Sequence, residues 1–199
     1  MRLPAVEIYL GRLPDGLGSY PDAKAKATVV RPWLDGSLGV ALRGAGGLPA
    51  PLVGLIAAPP PVSTWVPEVW LAVLILAASE VHFATDRELQ DHIRVTNRAA
   101  FRSPLYRILF EVLSPEMLLK GAAQRWSAFH RGSTLKVTES GRRRAVLELR
   151  YPPHIFGVPS LRGHGTSFAL AAEMAGAEGV KMELEEVGAA QTRYVITWA

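Results

Sequence analysis

The sequence predicts an α+β fold: a helical layer packed on one face of a four-stranded antiparallel sheet, in the order helices–ββ–helix–ββ. Three observations predict it. Residues 63–130 carry apolar side chains at helical spacing behind clear cap signals. After Gly132 two stretches alternate apolar and polar residues with a period of two. A single helical stretch separates those two stretches, so the strands come as hairpins, which favours an antiparallel sheet with one wet face. At 199 residues and 49% hydrophobic, the chain has ample material for a packed core.

Residues 1–60 read as a Gly/Pro-rich N-terminal extension with short strands, at Val6–Leu10 and Ala25–Pro32, and residues 61–199 as the α+β domain. Pro59-Pro60-Pro61 closes the first part. Ser63 or Thr64 then caps a helix that admits Pro67 in its first turn and runs to about His82. Its centre, Val69 to Ala78, is almost wholly apolar and predicts a buried helix. Thr85-Asp86-Arg87-Glu88 has the form of a capping box, which opens a second helix with Leu89, Ile93, Thr96 and Ala100 on one face. Ser103-Pro104 and Ser114-Pro115-Glu116 are two further cap-plus-proline starts. Between them Leu105 to Leu113 is apolar nearly all round, and the next helix, to about His130, turns Leu119, Ala122, Trp126 and Phe129 inward.

In the first hairpin Leu135 and Val137 alternate with Lys136 and Thr138, a turn falls at Ser140-Gly141, and Ala145, Leu147, Leu149 and Tyr151 line the buried face. Pro152-Pro153 ends it. A helix from about Ser160 to Ala175 stops at Gly176, as a C-terminal cap does. In the second hairpin Val180, Met182 and Leu184 face Tyr194, Ile196 and Trp198, with Lys181, Glu183, Glu185 and Arg193 on the solvated side.

The net charge of +4 invites a nucleic-acid reading, yet the excess is spread thinly along the chain. Only Arg142-Arg143-Arg144 forms a basic run, and it sits on a turn; no nucleic acid is expected. The absence of cysteine removes disulfide scaffolds, thiolate metal sites and cysteine nucleophiles. Pro4 and Glu7 interrupt any signal-peptide core, and the most apolar run is too short to cross a bilayer, which takes about 20 residues. A cytoplasmic location with no transmembrane segment follows as the expectation.

No catalytic constellation emerges. His82, His92, His130, His154 and His164 form no H-x-x-x-H pair, no serine stands in a G-x-S-x-G elbow, and Glu185-Glu186 point to opposite faces of a strand. Gly163-His164-Gly165 opens a helix without the lysine of a phosphate loop; its glycines suit close packing of that helix on the sheet, and Arg162 and His164 are candidates for an anion contact. The aromatics of the helical half, among them Trp70, Tyr106, Trp126 and Phe129, either fill the core or line an apolar pocket.

Several stretches carry a resemblance. Pro61-x-x-x-Trp65-x-x-x-x-Trp70, the run Pro104-Leu105-Tyr106-Arg107 to Leu113-Ser114-Pro115-Glu116-Met117-Leu118-Leu119, then Trp126, Gly132 and Tyr194-Val195-Ile196-Thr197-Trp198 resemble an uncharacterised paralogous family of myxobacteria, over about residues 61–199. The chain departs from that family at Arg102-Ser103-Pro104-Leu105, where a Thr/Gly-containing segment is expected. In element order the family is distantly similar to four-vinyl-reductase-like domains, haem-nitric-oxide-binding domains and transport-particle subunits. The resemblance implies a helix–ββ–helix–ββ scaffold that dimerises or binds a small apolar ligand. It implies no cofactor, because the Tyr-x-Ser-x-Arg haem signature and the cysteines of the vinyl-reductase-like domain are missing.

The expectation drawn from all this is a non-enzymatic cytoplasmic regulatory or scaffolding module. It acts through protein–protein contacts, as a homodimer or with a protein partner, and uses no cofactor and no metal. The alternative is a sensor or carrier that encloses a small apolar ligand between helices and sheet, with Trp70, Tyr106, Trp126 and Phe129 as its lining.

Overall fold

The alternating stretches form one antiparallel sheet. A computed structural model describes residues 2–101 and 113–199. Strands β4 (Thr134–Gly141), β5 (Arg144–Arg150), β6 (Lys181–Val187) and β7 (Gln191–Thr197) lie in the order β4-β5-β7-β6, so the two hairpins join through their second strands. The register sets Leu147 opposite Tyr194 and Leu149 opposite both Leu135 and Thr192, which places the apolar set on one face. Shifts at Val137/Glu139 and Leu184/Glu186 bend the two outer strands. On the other face Arg193 binds Glu139 at 3.1 Å and Glu185 at 3.3 Å, and Arg144 also pairs with Glu139. Such exposed pairs contribute about 0–1 kcal/mol each, so the buried face carries the sheet's stability.

The helical layer matches the sequence in its centre and differs at its ends. Helices α1 (Pro4–Gly11), α2 (Ala27–Val30), α3 (Gly36–Gly44), α4 (Ala50–Ala57), α5 (Glu68–Val81), α6 (Asp86–Phe101), α7 (Pro115–Trp126) and α8 (Val158–Met174) are joined by turns and by the short strands β1 (Lys24–Lys26), β2 (Trp65–Pro67) and β3 (His130–Arg131). The capping box at the start of α6 is present: the Glu88 amide donates to Thr85 Oγ1, and Glu88 Oε2 accepts from the Ala84 amide. Ser114 caps α7 by accepting from the Met117 amide. From Val69 to Ala78 every residue of α5 is buried except the half-buried Trp70. At about 1.5–3 kcal/mol per large aliphatic chain, this run is a principal source of stability. The helix expected over 105–113 lies outside the described residues except at Leu113.

Four expectations need correction. Val6–Leu10 is helical, not extended: Pro4 pre-sets the first turn of α1, and Val6 and Tyr9, three apart, share its buried face. In Ala25–Pro32 only the first residues are extended, before the chain turns into α2. The helix read from Ser63 begins at Glu68, because Trp65–Pro67 pairs with Lys24–Lys26 in a second, three-stranded sheet ordered β2-β1-β3. The helix read to His130 ends at Trp126, and His130 pairs with Ala25 in that same sheet. The last three differences have one source: a strand of two or three residues is too short to print an alternation in sequence.

The chain divides into two compact units. The first contains Met1–Leu89, Ala128–Gly132 and Pro152–Ser160; the second contains Gln90–Ser127, Ser133–Tyr151 and Leu161–Ala199. In the first, α1 and α3 pack on α5, and Leu3, Leu42, Leu52 and Leu74 are fully buried, so residues 1–60 supply core. In the second, α7 packs on β4 and β5, and α8 reaches the sheet through Phe168 and Gly165.

Candidate ligand-binding site

Within the second unit a polar seam fixes α6 against α8. Asn97 Nδ2 donates to Ser167 Oγ at 2.6 Å, the Thr166 hydroxyl donates to Gln90 Oε1 at 2.6 Å, and Arg94 pairs with Glu173. Between these bonds Gly163 lets α8 approach closely: an added Cβ would stand 2.9 Å from Ile93 Cδ1. Gly165 does the same toward the sheet, where a Cβ would stand 2.6 Å from Met182 Sδ. The glycines of the Gly163-His164-Gly165 run therefore serve packing, as one of the two readings of the sequence had it. With about 100° per residue, Gln90, Ile93 and Asn97 on the seam put His92 on the far side of α6, where it is half-buried.

Inside the helix–sheet layer an aromatic series runs from α7 to β7. The Trp126 ring meets His164 edge-on at 5.1 Å and Phe168 at 6.2 Å, and Phe168 meets Tyr194 edge-on at 5.3 Å. Each such contact is worth roughly 0.5–1.5 kcal/mol beyond its buried area. Trp126 Nε1 donates to Ser133 Oγ at 3.0 Å. The Tyr194 hydroxyl is buried without a hydrogen-bond partner among the described residues, and burial pushes its pKa well up.

The predicted site residues separate. Trp126 belongs to the second unit; Trp70, half-buried on α5, and Phe129, whose carbonyl accepts from the Lys26 amide, belong to the first. Tyr106 lies outside the described residues. Arg162 and His164 occupy the second turn of α8, which begins at Val158, so they stand beyond the open amides of its first turn.

One polar cluster was not anticipated. In the first unit Glu68 Oε2 lies 3.0 Å from His130 Nδ1, with both residues buried. Beside them Tyr9 donates to the Ile155 carbonyl at 2.6 Å, and its pKa is raised first by burial and then by the Glu68 charge. A carboxylate beside Pro67 reads in sequence as a solvated helix start, and only the pairing of β3 with β1 brings His130 to it.

The second unit also has an open notch lined by Glu116, Arg142, Arg143 and Trp198. There the Glu116 carboxyl is held below the usual range, first by a bond from its own backbone amide, then by Ser114 and the Arg143 backbone.

Comparison with known proteins bears on fold. No protein-family model matches the sequence, and a search of curated proteins returns no match. Among solved structures the chain is similar to the Fe(II) unliganded H-NOX protein from K. algicida, with TM-score 0.57 and 11% identity over 87% of this chain and 96% of that one. It is also similar to an oxygen-binding H-NOX domain related to soluble guanylate cyclases, with TM-score 0.51 and 11% identity over 87% and 94%. A third, from work on heme distortion in the H-NOX family, gives TM-score 0.54 and 12% identity over 87% and 94%. The α+β fold is thus that of the haem-nitric-oxide-binding domains which the sequence resembles.

This likeness reverses the order of the two functional expectations. The reading as a module acting through protein–protein contacts rested on stacked apolar helices and an absence of catalytic groups. The solved neighbours are H-NOX proteins, among them an oxygen-binding one, and the apolar centre of α5 is core, so neither ground of that reading holds.

A haem-type group brings its own ring nitrogens and asks the protein for one axial donor. A bare metal ion asks for several, and among the described residues no three His, Asp or Glu side chains gather to hold one. Of the histidines, His82 and His154 are exposed, His92 and His164 half-buried and His130 buried. His92, half-buried on a helix whose opposite face is pinned, is an imidazole of the type such a group takes as its axial donor, so on this one ligand the chain fits it, although the Tyr-x-Ser-x-Arg signature is absent.

Proposed function

We propose that the protein is a small-ligand sensor domain on the H-NOX fold, with His92 as the axial donor to a haem-type group. The observation that supports it most is the extent of the likeness, which runs through nearly the whole chain and nearly the whole of each neighbour. When bound, such a group supplies the iron at which a diatomic gas is taken up. The chain's own part is to hold His92 in place: α6 is capped at Thr85 and Glu88 and clasped to α8 through Gln90, Arg94 and Asn97. The reading assigns the protein no bond-making or bond-breaking step. Among the described residues no helix is long and apolar enough to cross a membrane.

The experiment is a titration of the purified full chain with haemin, followed by absorption spectroscopy and thermal unfolding. A shifted Soret band at saturation and a raised Tm are expected, since a ligand bound only by the folded state stabilises it by mass action. His92→Ala removes the Soret shift, whereas His164→Ala keeps it. Wild-type protein with no spectral shift, or His92→Ala indistinguishable from it, overturns the reading.

A further inference from the structure

The small sheet of the first unit has a solvent face that the ligand-sensing reading does not use. In β1, Ala25 points inward and Lys24 and Lys26 point outward; in β2, Val66 points inward and Trp65 and Pro67 outward; in β3, His130 is buried and Arg131 exposed. The register sets Lys24 directly opposite Arg131 and Lys26 opposite Trp65. Like charges directly opposite in a ladder are destabilising. Arg131 leaves that position by reaching over β1 to Trp65, with its guanidinium carbon 3.9 Å from the ring centroid, while Lys26 Nζ stands 5.5 Å from the same ring. Among the described residues no carboxylate pairs with Lys24, Lys26 or Arg131. Asp22 stands in the turn before β1, outside the ladder, and makes no ion pair with them.

A guanidinium held over an indole ring is restricted in its motion, which reduces the entropy lost when an anion binds. Lys24 and Lys26, two residues apart on an extended strand, present ammonium groups at a repeat of about 6.8 Å. An extended peptide with carboxylates at alternate positions has that same repeat. We infer that the outer face of the β2-β1-β3 sheet is a docking surface for an extended acidic segment of another protein, bearing Asp or Glu at alternate positions. Lys24 and Lys26 meet successive carboxylates, and the Trp65-stacked Arg131 takes one of them through two parallel N–H bonds. A membrane surface suits this face less well, because Trp65 lies under the Arg131 guanidinium and is not free to enter the lipid interface.

The test uses the full chain and a fluorescein-labelled peptide alternating Asp with Ser, read by fluorescence anisotropy at low and high salt. Vesicles of phosphatidylcholine with phosphatidylserine, and an oligouridylate, serve as competing anions. The alternating peptide is expected to bind in a salt-dependent manner, and more tightly than a peptide of the same composition with its acids in one block. Lys24→Ala/Lys26→Ala weakens binding about tenfold, as lost charge partners at an interface do. Arg131→Lys, which keeps the charge but loses the planar fork, weakens it about threefold. All these side chains point to solvent, and unchanged circular dichroism and Tm show that the variants are folded. The inference is overturned by no binding of the alternating peptide, by equal binding of the lysine variant, or by tighter binding of vesicles or oligouridylate. None of these outcomes depends on haem binding.

Discussion

The two sheets of this protein are built on opposite principles. The four-stranded sheet consists of two hairpins whose strands hold seven or eight residues each, and β4 and β5 are nearly contiguous in the chain. The three-stranded sheet draws two or three residues from each of three distant segments, pairing Lys24 with both Pro67 and Arg131. A long hairpin closes short loops and makes many ladder bonds; a stitched sheet closes long loops for few. The small sheet therefore depends on what lies beneath it, the buried pair of Glu68 and His130, whereas the large one rests on alternating aliphatic side chains. Polar groups under one sheet and apolar groups under the other mean that the same kind of substitution has different consequences in the two units.

The widest gap opens at Glu68. Glu68→Ala leaves the buried His130 without its carboxylate and is expected to cost roughly 3 kcal/mol. It also removes the charge that adds to the raised pKa of Tyr9. A raised tyrosine pKa contributes stability that is present below the ordinary value near 10 and is lost as pH rises through the folded-state value, so the variant has a shallower alkaline transition. Urea unfolding at neutral and alkaline pH checks both effects; an unchanged midpoint removes the distinction between the sheets.

Gly165→Ala probes the apolar layer. Its new Cβ meets the end of the flexible Met182 side chain, which can move aside, so an overpacking cost of about 1–2 kcal/mol is expected. Gly165→Ala/Met182→Ala relieves that clash, and recovery of the Tm beyond the sum of the two single changes sharpens the picture of close helix–sheet contact. The smallest effect is at Glu116. Its lowered pKa stabilises the fold above the ordinary carboxylate range and ceases to do so as pH falls through the folded-state value. Glu116→Gln removes that acid dependence and leaves neutral stability within about 0.5 kcal/mol, readable in Tm measured from pH 3 to 7.

Legibility in the sequence followed the range of the interactions. Leu135, Leu147, Leu149 and Tyr194 announce their face through alternation, and Thr85, Glu88 and Ser114 announce helix starts through caps, because those interactions close within a few residues. Val6 and Tyr9 make too short a pattern among glycines and prolines to mark α1 as a helix. His92 was one of five histidines until the Gln90–Thr166 and Asn97–Ser167 bonds showed which side of α6 is pinned. Trp126 belongs to an apolar layer in either reading; its contacts with His164 and Phe168 are what make it core.

The amino-acid sequence by itself determined the α+β class, the four-stranded sheet with its buried face, the buried run of α5 and the capped starts of α6 and α7. These rest on local periodicity and on side chains that bond their own backbone neighbours. Tertiary structure alone decided the sheet of Lys24–Lys26, Trp65–Pro67 and His130–Arg131, the meeting of Glu68 with His130, and the seam that leaves His92 on the opposite side of α6. Those contacts join residues tens of positions apart. Their free energy comes from loops closed by the rest of the fold, and no window of neighbouring residues carries a record of it.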